Sequence, residues 1–344
     1  MEETKRTELS TLGEFGLINR IKGNFTLNNK ESVKGIGDDT AVLEYSDSEY
    51  VLLSTDMLAE SVHFDLSYVP LRHLGYKAVA VNVSDIAAMN GIPKQIVVSL
   101  ALSNKFSVEA LDELYLGIEA ACKNYKIDLV GGDTTSSRSG LIINIAVTGT
   151  VKKEEITYRS TANVGDLICV TGDLGGAFTG LQILEREKQV YLTNPDMQPD
   201  LEGKDYIVQK QLRPEARMDI VHEFKELKLI PTSMIDVSDG LASELLHICK
   251  QSVKGAVIYD DKLPIDNLAY ETATEFNLDP ITCILNGGED YELLFTIKQE
   301  DFEKIKNHAD ISVIGHIVDK AKGVNLMTKS GNAYPVTAQG WVHF

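Results

Sequence analysis

The sequence predicts a mixed α/β protein built as two α+β domains, and three observations carry that expectation. Its 344 residues are about twice a common domain length. Its 43% of hydrophobic residues suffice for a core in each half. Short apolar strand patterns also alternate with helix-period patterns along the whole chain, without low-complexity stretches or internal repeats. The polar, strand-free run from Lys152 to Gly165 places the domain boundary, giving residues 1–151 and 152–344.

Taken in order, Val51-Leu52-Leu53-Ser54-Thr55 reads as a short buried strand ending at Asp56. Pro70 suits the first turn of a helix, and Leu74, Ala78, Val81, Asp85 and Ala88 follow at spacings of three and four, so they share one face. That helix stops near Gly91 and Pro93, and Ile96 to Leu102 is the next strand. Ser107 caps a second helix carrying Leu111, Leu114, Ile118, Ala121 and Tyr125; Leu129-Val130 then leads into Gly131-Gly132-Asp133. Leu141 to Val151 is another strand. Beyond the boundary come a strand at Leu167 to Thr171, a Gly-rich turn (Gly172, Gly175, Gly176) and a helix from Ala177 to Lys188. Thr193 to Asp205, with Pro195 and Pro199, is a surface loop. A helix from Pro214, a strand at Ser233-Met234-Ile235 running into Asp236, a helix from Asp239 to Lys250, and strands at Leu293 to Ile297 and Ser312 to Ile314 complete the reading.

Charge and cysteine usage narrow the function classes. With 33 Lys+Arg against 51 Asp+Glu, the net charge of −18 argues against a nucleic-acid or anionic-membrane surface. The four widely spaced cysteines, Cys122, Cys169, Cys249 and Cys283, fit neither a zinc site nor a disulfide framework and read as buried thiols of a reduced, cytoplasmic protein. No apolar run reaches the ~18 residues of a membrane span, and Met1-Glu2-Glu3-Thr4-Lys5-Arg6 carries no secretory pattern.

The acids cluster at element ends beside Gly, Ser or Thr: Gly37-Asp38-Asp39, Ser54-Thr55-Asp56, Ser84-Asp85, Gly131-Gly132-Asp133, Asp236-Val237-Ser238-Asp239-Gly240 and Gly287-Gly288-Glu289-Asp290. Each alone fits a helix cap or a turn. Asp85 does not, because it stands on the apolar face of its own helix, where an ionised group is costly without a partner. Several such acids beside small residues point to hard cations on oxygen ligands, and Mg²⁺ prefers a few carboxylates together with substrate phosphates. The Asp236 segment lacks the sixth-position Gly and twelfth-position Glu of a calcium loop. There is no P-loop, no G-x-G-x-x-G, no kinase catalytic loop, no H-E-x-x-H and no G-x-S-x-G. A nucleotide would therefore be held through bridging metals and Gly-rich turns, with Arg159 and Arg213 as candidate countercharges.

These motifs in this order resemble the thiamine-monophosphate kinase family of the aminoimidazole-ribonucleotide-synthetase-like superfamily. The resemblance runs from Gly13-Glu14-Phe15 to Gly340-Trp341 and includes Gly35-Ile36-Gly37-Asp38-Asp39, Ser54-Thr55-Asp56 with His63-Phe64, Lys77-Ala78 through Asn82-Val83-Ser84-Asp85, Gly131-Gly132-Asp133-Thr134-Thr135, Arg159-Ser160, Asp236 to Leu241 and Gly287 to Leu293. It implies ATP-dependent phosphorylation of thiamine monophosphate to thiamine diphosphate by a homodimer whose N-terminal sheet is completed across the interface. By motif it assigns Asp39, Ser54, Thr55, Asp56, Asp85, Asp133, Asp236 and Asp239 to several Mg²⁺ ions. Gly132, Asp133, Arg159, Ser238 and Tyr115 are assigned to ATP, and His63, Glu289 and Trp341 to the thiamine phosphate. The sequence departs from the family pattern at Thr40, at Ala59-Glu60-Ser61 and at Thr161, all beside these positions. Selenophosphate synthetase, a superfamily relative, is disfavoured because no cysteine precedes Cys122. Aminoimidazole ribonucleotide synthetase, or a Mg-nucleotide-binding module without turnover, remains as an alternative.

Overall fold

The computed structural model describes residues 8–339, so Trp341 lies outside the described residues. The first half opens with helix α1 (Gly13–Lys22) and builds a six-stranded sheet from β1 (Ser32–Lys34), β2 (Ala41–Leu43), β3 (Glu49–Ala59), β4 (Ile92–Leu102), β5 (Asp128–Ser136) and β6 (Ile142–Lys152), in the order β1-β2-β3-β6-β4-β5. All neighbours are antiparallel except β4 and β5, which helix α3 (Val108–Tyr125) connects as a parallel pair. The Ser107 cap is realised, its Oγ accepting from the Ala110 amide at 3.2 Å.

Helix α2 (Leu71–Ala88) decides how the halves meet. Fourteen of its eighteen residues are buried, all round its circumference, as expected of a helix inside a core rather than on its rim. On one side it packs on Leu52, Ile143 and Ile145 of the first sheet; the same continuous core takes in Met218, Val221, Phe224, Met234 and Phe295 from the second half.

That half contains β7 (Leu167–Thr171), α4 (Gly176–Thr193), α5 (Asp205–Leu212), α6 (Met218–Glu226), β8 (Ser233–Asp236), α7 (Leu241–Ser252), β9 (Lys254–Tyr259), α8 (Asn267–Glu275), α9 (Pro280–Asn286), β10 (Leu293–Ile297), β11 (Ile311–Asp319), β12 (Val324–Met327) and β13 (Ala333–Pro335). Its seven strands run β13-β12-β9-β11-β7-β10-β8. Strand alternation divides them between two cores: Cys169 and Phe295 face the core shared with α2, while Ile168, Val170 and Leu294 face a second core with Leu241, Leu245 and Ile248 of α7. A mixed α/β protein with two sheets is therefore observed.

Several boundaries differ from the sequence expectation. The strand expected to end at Asp56 runs through it to Ala59, because the hydrogen-bonded ladder with β6 continues to the pair Ala59 with Ile142. Gly131-Gly132-Asp133, expected at an element end, lies inside β5, paired with Val97, Val98 and Ser99. The helix expected from Pro214 begins at Met218. All four cysteines are free, and among the described residues no helix is long and apolar enough to cross a membrane.

Candidate active site

The site forms where α2 lies between the sheets. Asp85, near the C-terminal end of α2, meets Asp39 from the β1–β2 loop and Asp236 from the end of β8, and one carboxylate oxygen from each lies within 4.8 Å of the others. Neighbouring groups fix their directions. Ser54 Oγ on β3 donates to Asp85 Oδ2 and lies 3.1 Å from the Asp39 carbonyl; Ser84 Oγ donates to Asp236 Oδ2 at 2.6 Å. The Asp56 amide donates to Asn82 Oδ1 at 3.0 Å, which ties β3 to α2 one turn before Asp85.

Crowded carboxylates in a low-dielectric cleft resist ionisation. Burial, then the charges of Asp56, Asp236 and Asp39, holds the Asp85 carboxyl well above its ordinary range. Asp236 is pushed up to about 7 by burial and by Asp39, and Asp56 to about 6 by burial. Among the described residues the strong countercharge is Arg159, whose Nε and Nη2 fork both oxygens of Asp39 at 2.8 and 2.6 Å. Burial opposes its charge, but the carboxylates of Asp39, Asp38 and Asp236 raise its affinity for the proton. The donor set is hard oxygen throughout, and three acids share one cation, so the residues fit a divalent ion such as Mg²⁺.

The expected ligands do not all share one side of the sheet. Ser54 and Asp56 point inward with the buried Leu52 and Leu58. Thr55 falls between them and points outward, where its hydroxyl meets Asn144 Nδ2 at 3.0 Å, since successive strand residues alternate faces. Asp133 pairs with Ser99, which alternates with buried Val98 and Leu100, and so shares that outer face three strands from Asp56, about 14 Å across the sheet. Gly132 has a packing reason of its own, since a Cβ there would sit 1.9 Å from the Val98 carbonyl oxygen. Tyr115 is half-buried against the first core. Arg213 stacks 3.9 Å above the Tyr76 ring and pairs with Glu215 at 3.6 Å.

Around the cluster, Asp239 and Ser238 follow β8, and the Asp239 amide donates to Glu244 Oε1 at 3.1 Å. Glu244 is a buried acid that the motif reading missed; burial, then Asp239, raises its proton affinity, and its Oε2 has no hydrogen-bond partner. His63 Nδ1 accepts from the Ala59 amide at 3.0 Å at the end of β3. Glu289 sits in a left-handed turn (φ 58°), with Lys77 Nζ 3.0 Å from one oxygen and Gln211 Nε2 2.6 Å from the other. The Gly-rich turn before α4 is not an open phosphate cradle: Asp290 already accepts from the amides of Gly175 and Ala177 at 2.7 and 3.1 Å.

Residues 37–151 match the family described as AIR synthase related protein, N-terminal domain. Over 336 residues the chain is 37% identical to the thiamine-monophosphate kinase of Aquifex aeolicus (strain VF5), covering 98% of this chain and 99% of that protein. The chain belongs to the thiamine-monophosphate kinase family. The kinase of Bacillus subtilis (strain 168) is 34% identical, over 97% of this chain and 100% of its own. Among solved structures, AaThiL complexed with AMPPCP and TMP superposes with a TM-score of 0.82 at 33% identity, over 99% of this chain and 100% of that one. Membership in the thiamine-monophosphate kinase family is thus supported over nearly the whole length.

Proposed function

We propose that this protein transfers the γ-phosphoryl group of ATP to thiamine monophosphate, giving thiamine diphosphate and ADP. The observation that carries the reading is the convergence of Asp39, Asp85 and Asp236 at the junction of the sheets, in a chain that matches a thiamine-monophosphate kinase over 98% of its length. In this reading residues 1–151 bind metal and ATP and form the dimer, and residues 152–344 complete the cleft.

The chemistry follows from the groups present. The acceptor is a phosphate monoester, largely dianionic near neutral pH, so it needs no general base; its obstacle is repulsion from the ATP phosphates. When bound, Mg²⁺ supplies the charge that screens both anions. Asp39, Asp56, Asp85 and Asp236, with Ser54 beside them, are the residues that would hold it, and Asp239 flanks them. Arg159 holds both oxygens of Asp39; were Asp39 to ligate a cation, the guanidinium would be available for phosphate oxygens, the role the resemblance assigns to it. Ser238 is assigned to ATP with it, and Glu289, His63 and Trp341 serve the acceptor. The transfer is direct and in line, through positioning and electrostatics without an enzyme-bound phosphoryl group.

Thr55, Gly132 and Asp133 belong to the outer face or its edge strand, which supports a role for them across a homodimer. The bare outer face and the exposed β5 edge favour the same arrangement, because an uncovered edge invites pairing with another chain.

The test incubates purified protein with ATP, Mg²⁺ and thiamine monophosphate and separates the products by chromatography, with formylglycinamidine ribonucleotide as a competing acceptor. Thiamine diphosphate and ADP in equal amounts are expected. No thiamine diphosphate with Mg²⁺ in excess sinks the reading, and turnover of the competitor alone points to the amide-phosphorylating branch of the superfamily.

A further inference from the structure

On α2, fourteen of eighteen positions are buried, and nearly all hold apolar or small side chains. Lys77 is the exception in charge: its side chain is only 3% exposed. A buried ammonium is costly unless it is paired and hydrogen-bonded, and its partners here are specific. Nζ lies 3.0 Å from Glu289 Oε1 and donates to the Gln211 carbonyl at 3.1 Å. Gln211 in turn donates its Nε2 to Glu289 Oε2 at 2.6 Å. Both oxygens of Glu289 are thus gripped, one from α2 of the first half and one from α5 of the second.

The backbone beneath Glu289 is pinned as well. Its amide donates to the Ser238 carbonyl at 2.6 Å, and the Tyr291 amide donates to the Val237 carbonyl at 2.9 Å, with Gly288, Glu289 and Tyr291 all at positive φ. Left-handed non-glycine residues persist only where the surroundings over-determine them. The Glu289 side chain nevertheless keeps 27% of its surface exposed, so it is held without being sealed off from a ligand.

We propose that Lys77 is a positioning residue for the acceptor substrate, acting through Glu289. It neutralises the carboxylate, fixes its rotamer across the seam between the two halves, and leaves its remaining lone pairs for a polar group of the acceptor. The inference rests on the acceptor reading given under Proposed function and adds a residue to it. A role limited to packing predicts lost stability without selectivity between the two substrates; positioning predicts a selective effect.

The experiment compares wild type, Lys77→Met, Glu289→Gln and the double variant, with Lys77→Arg as the conservative replacement. Wild-type turnover of thiamine monophosphate is measured first, since its absence strikes the acceptor reading itself and this inference falls with it. Given turnover, Lys77→Met should raise KM for thiamine monophosphate about 10- to 100-fold and KM for ATP less than about threefold. In the Glu289→Gln background the same change should add less than about threefold, because a residue acting through another loses its effect when that partner is altered. Lys77→Arg should recover part of the acceptor affinity. Equal rises in both KM values, or a full additional rise in the Glu289→Gln background, overturns the proposal. If Lys77→Met does not fold, Gln211→Leu decides: it leaves the ion pair and removes the second grip, and a KM rise confined to the acceptor is expected, whereas no change or an equal change for ATP overturns the proposal.

Discussion

On the inner face of the first sheet, Ser54 and Asp56 stand against a buried helix that itself carries Asp85. On the outer face of the same strand, Leu53 and Met57 stand in solvent, Met57 with 56% of its surface exposed. Polar groups are half-buried where apolar ones belong, and apolar groups are bare where polar ones belong. Buried polar groups and exposed apolar patches are the informative departures from ordinary burial, and the proposed function gives each its own partner: a cation and phosphates inside, a second subunit outside.

The sharpest way to break this comparison is on the inner face. Asp85→Asn should lower turnover by about 10³-fold or more, since it removes a carboxylate from the proposed cation site. The metal-free melting temperature should not fall, because one of several mutually repelling acids is gone. A wild-type rate would remove Asp85 from the site. On the outer face the effect should be on assembly: Met57→Asp is expected to convert a dimer into a monomer at micromolar concentration in sedimentation velocity. A wild-type protein that already sediments as a monomer would end the reading of that face.

A smaller effect separates the two faces by pH. In the folded metal-free chain Asp56 and Asp236 are raised to about 6 and about 7, above the 3.8 of an ordinary aspartate. The folded state therefore binds more protons between those values, and the stability this contributes is present at acid pH and lost as pH rises through about 7. With a chelator, the melting temperature should drop by about 3–5 °C from pH 5 to pH 8; with saturating Mg²⁺ the drop should shrink or reverse, because the cation takes the deprotonated form. A Mg²⁺-induced gain that is the same at both pH values would contradict the assignment.

Much of the inner face was legible in the sequence. Asp85 announced itself as a charge on the apolar stripe of a helix, and Asp236 as an acid closing a short strand. The outer face was harder to read. Ser54-Thr55-Asp56 looks like one ligand group in a line of text, but strand alternation sends Thr55 the other way, and the position of Asp133 depends on a β4–β5 ladder that shifts register between Ile96 and Val97. Lys77, Gln211 and Glu289 meet over separations of 78 to 212 residues along the chain, which no local pattern can encode. The helix expected from Pro214 begins later because the segment before it is held by tertiary contacts, the Ala216 amide on the Tyr125 hydroxyl among them.

Helix α2 also has a consequence for how the chain is made. A nascent polypeptide leaves the ribosome from its N-terminus, so residues 71–88 emerge long before Met218 to Phe295, which cover their second side. Until then α2 presents an apolar flank to the cell, and partly folded chains with such flanks aggregate or recruit chaperones. Chains truncated after Lys152 should therefore be poorly soluble even though the first sheet is fully encoded.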